Sequence, residues 1–416
     1  MTELPQNWIE VPFTKPFDIQ GGTQPPKSSF IYEEKEGYIR LLQIRDFGKK
    51  PVPTYIPIKK TLKTCVDEDV LIARYGASIG RILTGMTGAY NVAIAKVLIP
   101  DNIDKRFVFH LLNSSYFQEP ILSIERSAQD GFNKDDLSRI YIPLPPLNEQ
   151  KRIVKKLDAI IPKVDEVNSR LERVPLILKR ARQSILNQAI TGELTKDWRK
   201  EHNITESWET TTFKSIATKL TDGSHNPPPQ KAEGYPVISA KNIKNNQIVI
   251  DNVERYTDEE GFLKENKRTN IKYGDIILGI IGASIGNIAI YKLNQKVIAQ
   301  RSIAIIDTNI NNEYVYYYMS SQIYQNCLID KTKGAAQGGV YLSELSSIEI
   351  RVPTIEEQEE IVKQVKKAFE KLDKIEEQYK KAKSYTDRIT QSILHKAFTG
   401  NLVPQDPNDK PVELPE

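Results

Sequence analysis

Only two cysteines occur in the 416 residues, Cys65 and Cys327, in unrelated contexts, so neither a disulfide framework nor a thiolate metal site is expected. The four histidines are scattered singly, with no HExxH pattern, which removes the commonest zinc arrangements. No apolar run approaches the roughly 18 residues of a membrane-spanning helix, and "MTELPQNWIE" lacks the basic and apolar regions of a signal peptide. These absences lead to the expectation of a chain in the reducing cytoplasm. "GASIG" occurs twice, but no Lys-Ser or Lys-Thr follows, so it is not a P-loop. Its glycines suit a tight connection between strands, while a turn whose backbone also touches phosphate stays open. "NPPP" (Asn226–Pro229) lacks the aromatic of the adenine-methyltransferase motif and reads as a rigid loop. "VDEDV" and "DEEGFLKENK" are expected in loops and have no counterpart elsewhere in the chain. No serine or cysteine triad pattern is present. A binding protein is expected rather than an enzyme.

What is present is ordinary in amount and unusual in arrangement. Hydrophobic residues make up 39% and charged residues 27%, enough for two or three folded domains. The net charge of +4 permits an acidic partner such as nucleic acid without demanding one. The arrangement is a duplication. "QSILNQAITGEL" (Gln183–Leu194) returns as "QSILHKAFTGNL" (Gln391–Leu402) with eight of twelve positions identical. Gln391 against Gln183 and Gln358 against Gln150 share one offset, 208 residues. "YGASIG" (Tyr75–Gly80) lies over "IGASIG" (Ile281–Gly286), and "LPQNWIEVPF" (Leu4–Phe13) over "ITESWETTTF" (Ile204–Phe213). A period this long is a duplicated domain pair, not a solenoid.

Within each copy the period changes once. Residues from about 8 to 145 read as short strands with turn punctuation and one helical piece, and the second copy repeats the pattern. Next, Ile153, Leu157, Ile160, Val164, Val167 and Leu171 step alternately by four and three, as do Ile361, Val365, Ala368, Leu372, Ile375 and Tyr379. Such spacing is a coiled-coil seam. Two seams in matching register predict helices packed antiparallel, with a pseudo-two-fold axis relating the copies. The fold class expected is therefore α/β (α+β): two similar strand-rich domains joined by two long helices. Thr354 and Glu357 suggest a capping box at the second helix start, and Thr399-Gly400 its end. Pro162 and Pro175 are expected to kink or break the first helix.

Loops of both copies carry side chains suited to nucleic acid. In the first these are Lys27, Arg45, Lys49, Lys50, Arg74, Tyr75, Ser78, Arg81, Arg126 and Gln129. The second offers Lys241, Asn242, Lys244, Asn245, Asn246, Lys267, Arg268, Ser284, Arg301, Lys331, Lys333 and Gln337. Arg, Asn and Gln make bidentate contacts to base edges, whereas Lys mainly neutralises phosphate. From Asn148 to Lys200 there are 13 Lys/Arg against 7 Asp/Glu, an excess that could face DNA or an acidic protein.

Taken together, "LPxxW" near each domain start, "GGTQPP" and "DGSHNPPP", the twin "GASIG", "PLPPLNEQKRIVKKLD" and "QSIL..A.TG.L" resemble the specificity (S) subunit of type I restriction–modification systems. The resemblance covers essentially the full length. It implies target recognition domains at 3–146 and 203–353, helical regions at 147–202 and 354–404, and a tail at 405–416. It further implies that each domain reads one half of a split, asymmetric target in double-stranded DNA. Half-sites about one helical turn apart, near 34 Å, would put both on one face of the duplex. The helices would set the spacer and dock two methyltransferase subunits, and restriction/motor subunits would complete the complex. S-adenosylmethionine, ATP and magnesium would serve those partners, with no cofactor on this chain. The alternative is a duplicated, non-catalytic adaptor for protein or RNA.

Overall fold

The computed structural model describes residues 4–125, 131–205, 207–226, 228–251, 253–332 and 338–414. The framing helices are α1 (Lys105–Leu112), α2 (Leu147–Leu171), α3 (Val174–Thr191), α4 (Glu259–Thr269), α5 (Asn312–Ser320) and α6 (Ile355–Phe398). Two compact units result, one of Met1–Glu172 with Lys380–Glu416, the other of Arg173–Tyr379.

In the first unit the strands Asp18–Gly21, Ile94–Leu98, Leu71–Ala73 and Ile82–Leu83 neighbour one another in that order, all antiparallel. A second sheet orders Tyr55–Pro57, Tyr38–Leu42, Gly88–Tyr90 and Thr64–Cys65, with its middle pair parallel. Leu71, Ile72 and Ala73 are all buried, as a short continuous apolar run in a covered strand should be. Ile9–Pro12 pairs with Tyr141–Leu144, closing the start of the globular part onto its end. The second unit repeats the plan. Ala217–Asp222, Ile303–Thr308, Ile276–Gly279 and Ile288–Ile290 form the antiparallel sheet, and Tyr235–Ile238 pairs in parallel with Ile298–Ala299. Glu209–Thr212 closes on Glu349–Val352.

The cores explain the repeated helical phrase. Around Phe13, Phe17, Phe107 and Phe117 in the first unit pack Ile153 and Leu157 of α2, together with Leu394, Ala397 and Phe398 from the end of α6. The Phe107 and Phe398 rings meet edge-on at 5.4 Å. In the second unit Ile361, Val362 and Val365 from the start of α6 share a core with Leu186, Ala189 and Ile190 from the end of α3. The phrase that closes each repeat is therefore buried in the unit built on the other repeat's strands, through matching positions: Leu186, Ala189 and Ile190 against Leu394, Ala397 and Phe398.

Within each unit the paired helices run antiparallel. In the first, Asn168 of α2 lies near Lys383, and Ile153 shares its core with Leu394. In the second, Arg182 of α3 bonds Asp373 and Glu376, and its guanidinium sits 5.3 Å from the Phe369 ring centroid, while Leu186 shares a core with Ile361. The seam is partial. Ile153, Leu157, Val164, Ile361 and Val365 are buried, and Ile160, Leu171, Leu372 and Tyr379 are half-buried. Val167 and Ile375 are exposed, contrary to the heptad reading. Val167 lies one turn before α2 stops at Leu171.

Pro162 sits inside α2 without ending it. The break comes at Glu172–Arg173, where Pro175 occupies the first turn of α3, a position whose missing N–H has no intrahelical partner. α6 runs unbroken for 44 residues, about 66 Å at 1.5 Å per residue, and ends at Gly400 with φ 75°. Its start corrects the capping-box reading. Thr354 does accept from the Glu357 amide at 3.4 Å, but the Glu357 carboxylate points to Trp208, Arg199 and Thr195 instead of the cap.

Candidate nucleic-acid interface

Each unit holds its loops on the same set of internal clamps. Trp8 donates through Nε1 to Glu149 at 3.0 Å, and Trp208 to Glu357 at the same distance. The next residue, a glutamine, ties a helix start to a proline carbonyl. Gln150 accepts from the Asp104 amide (2.9 Å) and donates to Pro145 (2.8 Å), and Gln358 does so with Asn311 and Pro353. Asp104 and Asn311 are the N-caps of α1 and α5. The anchoring carboxylates differ in their surroundings. Arg199 and Thr195 also bind Glu357, whereas Glu149 has the neutral Gln405 at 2.6 Å, and burial pushes its carboxyl above the ordinary range.

The "GASIG" segments are turns between adjacent antiparallel strands, with Gly76, Gly80, Gly282 and Gly286 all at positive φ. Gln118 holds the first through the Gly80 carbonyl (2.9 Å), and Gln325 holds the second through Gly286 (3.2 Å). The residue after each turn reaches a neighbouring 3₁₀ turn. Arg81 donates to the Phe47 carbonyl at 2.6 Å, and Asn287 to the Ile243 carbonyl at 3.2 Å. The glycines of "GGTQ" and "DGSH" fit where no side chain can. A Cβ on Gly22 would lie 2.1 Å from the Asn91 carbonyl oxygen, and one on Gly223 would lie 2.2 Å from that of Ala299.

These clamps gather three loops in the first unit: 21–29, 43–50 and 74–81. Lys27, Arg45, Lys49 and Lys50 are exposed on them, and Ser78 is half-buried in the turn. Arg74 is partly internal. It donates to the Phe132 carbonyl at 3.4 Å and lies 5.2 Å from the Tyr75 ring centroid, so this pair shapes the edge as much as it faces outward. Arg81 remains exposed although one of its donors is engaged.

In the second unit the matching loops are 222–226, 239–248, 281–287 and 300–301. Lys241, Lys244, Lys267, Arg301 and Lys331 are exposed, and Lys241 faces Glu254 at 3.4 Å. Ser284 is half-buried. Several expected readers also make contacts within the unit. The Asn242 side chain accepts from the Ser239 amide (2.9 Å) and donates to Val249 (3.1 Å), the capping role that Asp46 plays toward Gln43 in the first unit. Asn245 and Asn246 form the left-handed tip of a hairpin, φ 50° and 61°, and Asn246 donates to the Tyr316 hydroxyl at 2.8 Å. Arg268, from α4, is bound to Asp222 (2.7 Å) and to the Gly223 carbonyl. Burial opposes the Asp222 charge, but hydrogen bonds from Arg268 and His225 outweigh it and hold the carboxyl below its ordinary range. Gln129, Gln337, Arg126 and Lys333 lie outside the described residues, as does Pro227 of "NPPP".

Sequence reasoning named the Trp and the Glu-Gln pair only as repeated letters and missed their contacts. Their recurrence at equivalent sites was the available signal. His225 and Gln24, on the "DGSH" and "GGTQ" loops, are exposed at equivalent positions and were not among the expected residues. Among the described residues no group of three or more His, Cys, Asp or Glu could hold a metal ion, and no helix is long and apolar enough to cross a membrane.

Comparison with known proteins places this arrangement. The family described as "Type I restriction modification DNA specificity domain" matches residues 5–175 and again 205–383. The chain is 29% identical to the type I restriction enzyme EcoBI specificity subunit of Escherichia coli, over 97% of this chain and 88% of that one. It is 27% identical to the EcoKI specificity subunit of E. coli strain K12, over 97% and 91%. A chain from a solved structure concerned with complex assembly and conformational transition of the type I R-M system superposes with a TM-score of 0.69 at 18% identity, covering 96% of this chain and all of that one. The HsdS subunit crystal structure from Thermoanaerobacter tengcongensis superposes with a TM-score of 0.58, also at 18% identity, over 96% and 98%.

Proposed function

The chain belongs to the family of type I restriction–modification DNA specificity domains, and from that premise we propose how its two units divide the work. Each unit reads one half of a bipartite, asymmetric target in duplex DNA. The observation carrying this reading is that equivalent loop positions on one shared scaffold bear different side chains. Arg45 corresponds to Lys241, Arg81 to Asn287, Gln24 to His225 and Val92 to Arg301 in the two copies. A shared scaffold with diverged tips supports two different half-sites rather than a palindrome. The unbroken α6, which contributes to both units, is the candidate for what fixes the unread spacer.

The chain supplies an address and no chemistry. Methylation would fall to two methyltransferase subunits docked on the helical regions, flipping an adenine and using S-adenosylmethionine. Motor and nuclease subunits would use ATP and magnesium, and the whole would work in the cytoplasm. Mapping N6-methyladenine across the host genome, with the gene intact and deleted, tests the proposal. Loss of one split, asymmetric motif on deletion is expected. Loss of a palindromic motif, or methyl transfer by the purified chain alone, would refute it.

A further inference from the structure

The corner loop of the second unit carries a group that the first unit lacks. Gly223 and Ser224 are pinned by backbone hydrogen bonds to Ile303 (3.0 Å) and Ala299 (2.7 Å), and Arg301 returns one to Ser224 (3.0 Å). Arg268 fixes the same loop from α4 through the Gly223 carbonyl and Asp222. With the backbone held from both sides, Asp222 uses one carboxylate oxygen for Arg268 and the other for His225 Nε2, at 2.6 Å. His225 itself is about 62% exposed along its side chain. At the equivalent corner of the first unit Gly21 offers no carboxylate, and the exposed Gln24 stands where His225 does.

We propose that His225, oriented by Asp222, is a base-reading residue of the second half-site, and that Arg268 is a positioning residue behind it. The inference rests on the DNA-reading role proposed above. A carboxylate can only accept, so Nε2 carries the proton, and in the tautomer with its proton there Nδ1 is an acceptor. In the major groove an acceptor pairs with an exocyclic amino group, N4 of cytosine or N6 of adenine. Guanine and thymine offer only acceptors at the corresponding edge and are rejected. The readable base is therefore an adenine or a cytosine.

The test uses the host methylation map with wild-type, His225→Ala, Asp222→Ala and Asp222→Asn alleles. His225→Ala should leave one half of the motif intact and make a single position of the other half degenerate, with discrimination there falling from about tenfold or more to about twofold. Asp222→Ala should relax the same position, and Asp222→Asn, which keeps an acceptor for Nε2, should largely restore it. A merely structural loop would not show that rescue. A His225→Ala motif identical to wild type overturns the proposal. If His225→Ala abolishes methylation, selection of duplexes from a random pool by the assembled complex decides. Retention of the other half with one position lost supports the reading, and loss of both halves overturns it. A wild-type map without any split motif would instead refute the underlying DNA-reading role, an outcome distinguishable from the others.

Discussion

Replacing each anchoring glutamate by glutamine separates two clamps that look alike. Glu357→Gln removes the negative charge opposite Arg199, whose side chain is 23% exposed while Glu357 is 1% exposed. A hydrogen bond to a charged group contributes about 1.5–3 kcal/mol, and partial exposure of Arg199 screens the pair, so about 2 kcal/mol is expected. That is roughly a 30-fold increase in local opening, at tenfold per 1.4 kcal/mol. Glu149 has Trp8 and Gln405 as partners, both neutral donors, and its nearest cation, Arg152, is paired at 2.6 Å with Asp409. Glutamine at 149 keeps an acceptor for Trp8, and the Gln405 amide can turn to present its oxygen. It also removes a charge that burial disfavours, so the cost should stay below about 1 kcal/mol. Hydrogen exchange at the amides of 150–154 and 358–362 reads both sites in the same molecule. Equal loss of protection at the two helix starts, each in its own variant, would sink the argument that charge, not shape, distinguishes them.

Four further outcomes rest on other contacts of the two units. The Glu149 carboxyl sits above its ordinary 4.5, so the fold disfavours its charged form; relative to Glu149→Gln, wild type should gain stability as pH falls from 7 through the raised folded value, measured by urea unfolding across pH. His110 behaves oppositely: burial holds its pKa below 6.5, so its contribution is complete above 6.5 and is lost as pH falls through the lower folded value, a dependence that His110→Gln should remove. Gly22→Ala and Gly223→Ala place a Cβ 2.1 and 2.2 Å from fixed carbonyl oxygens and should each cost about 1–3 kcal/mol, the first degrading only one half of the methylation motif and the second only the other. Deleting 405–416 removes Gln405 from Glu149 and Asp409 from Arg152, Asn148 and Asn7; protection of 147–158 should fall by about 2–4 kcal/mol while 355–366 is unchanged.

Much of the architecture was legible because duplication doubles every signal. A lone amphipathic helix is ambiguous, but two seams in one register named the helices, their antiparallel sense and the α6 boundaries. Other features were not legible, for physical reasons. Heptad spacing reports which residues share a face and says nothing of whether a partner covers that face, so Val167 and Ile375 were assigned to a seam they do not complete. Pro162 and Pro175 look equivalent in sequence, yet one lies inside a continuous helix and the other in the first turn of a new one. Residue type likewise did not reveal the internal contacts of Asn242 and Arg268. An amide and a guanidinium suit DNA, but both serve equally well to cap a turn or bind a carboxylate, and only the positions of Ser239 and Asp222 show those contacts.

The divergence of the copies separates scaffold from reading surface better than residue chemistry does. Where both copies keep a contact with the same residue types, as in Trp8–Glu149 and Trp208–Glu357, the contact builds the domain. Where both keep a contact with altered partners, the copies have changed in pairs. Arg106, two residues past the N-cap of α1, meets Asp158 of α2 at 3.2 Å; Glu313, two residues past the N-cap of α5, meets Lys366 of α6 at 2.5 Å. The attraction is preserved while its sign is reversed. Exchanging the two helix starts would set Asp158 against Glu313 and Lys366 against Arg106, so each helix is matched to its own domain despite their common origin. Positions that differ between the copies without such a paired change, such as Val92 against Arg301, are then the ones free to follow the DNA.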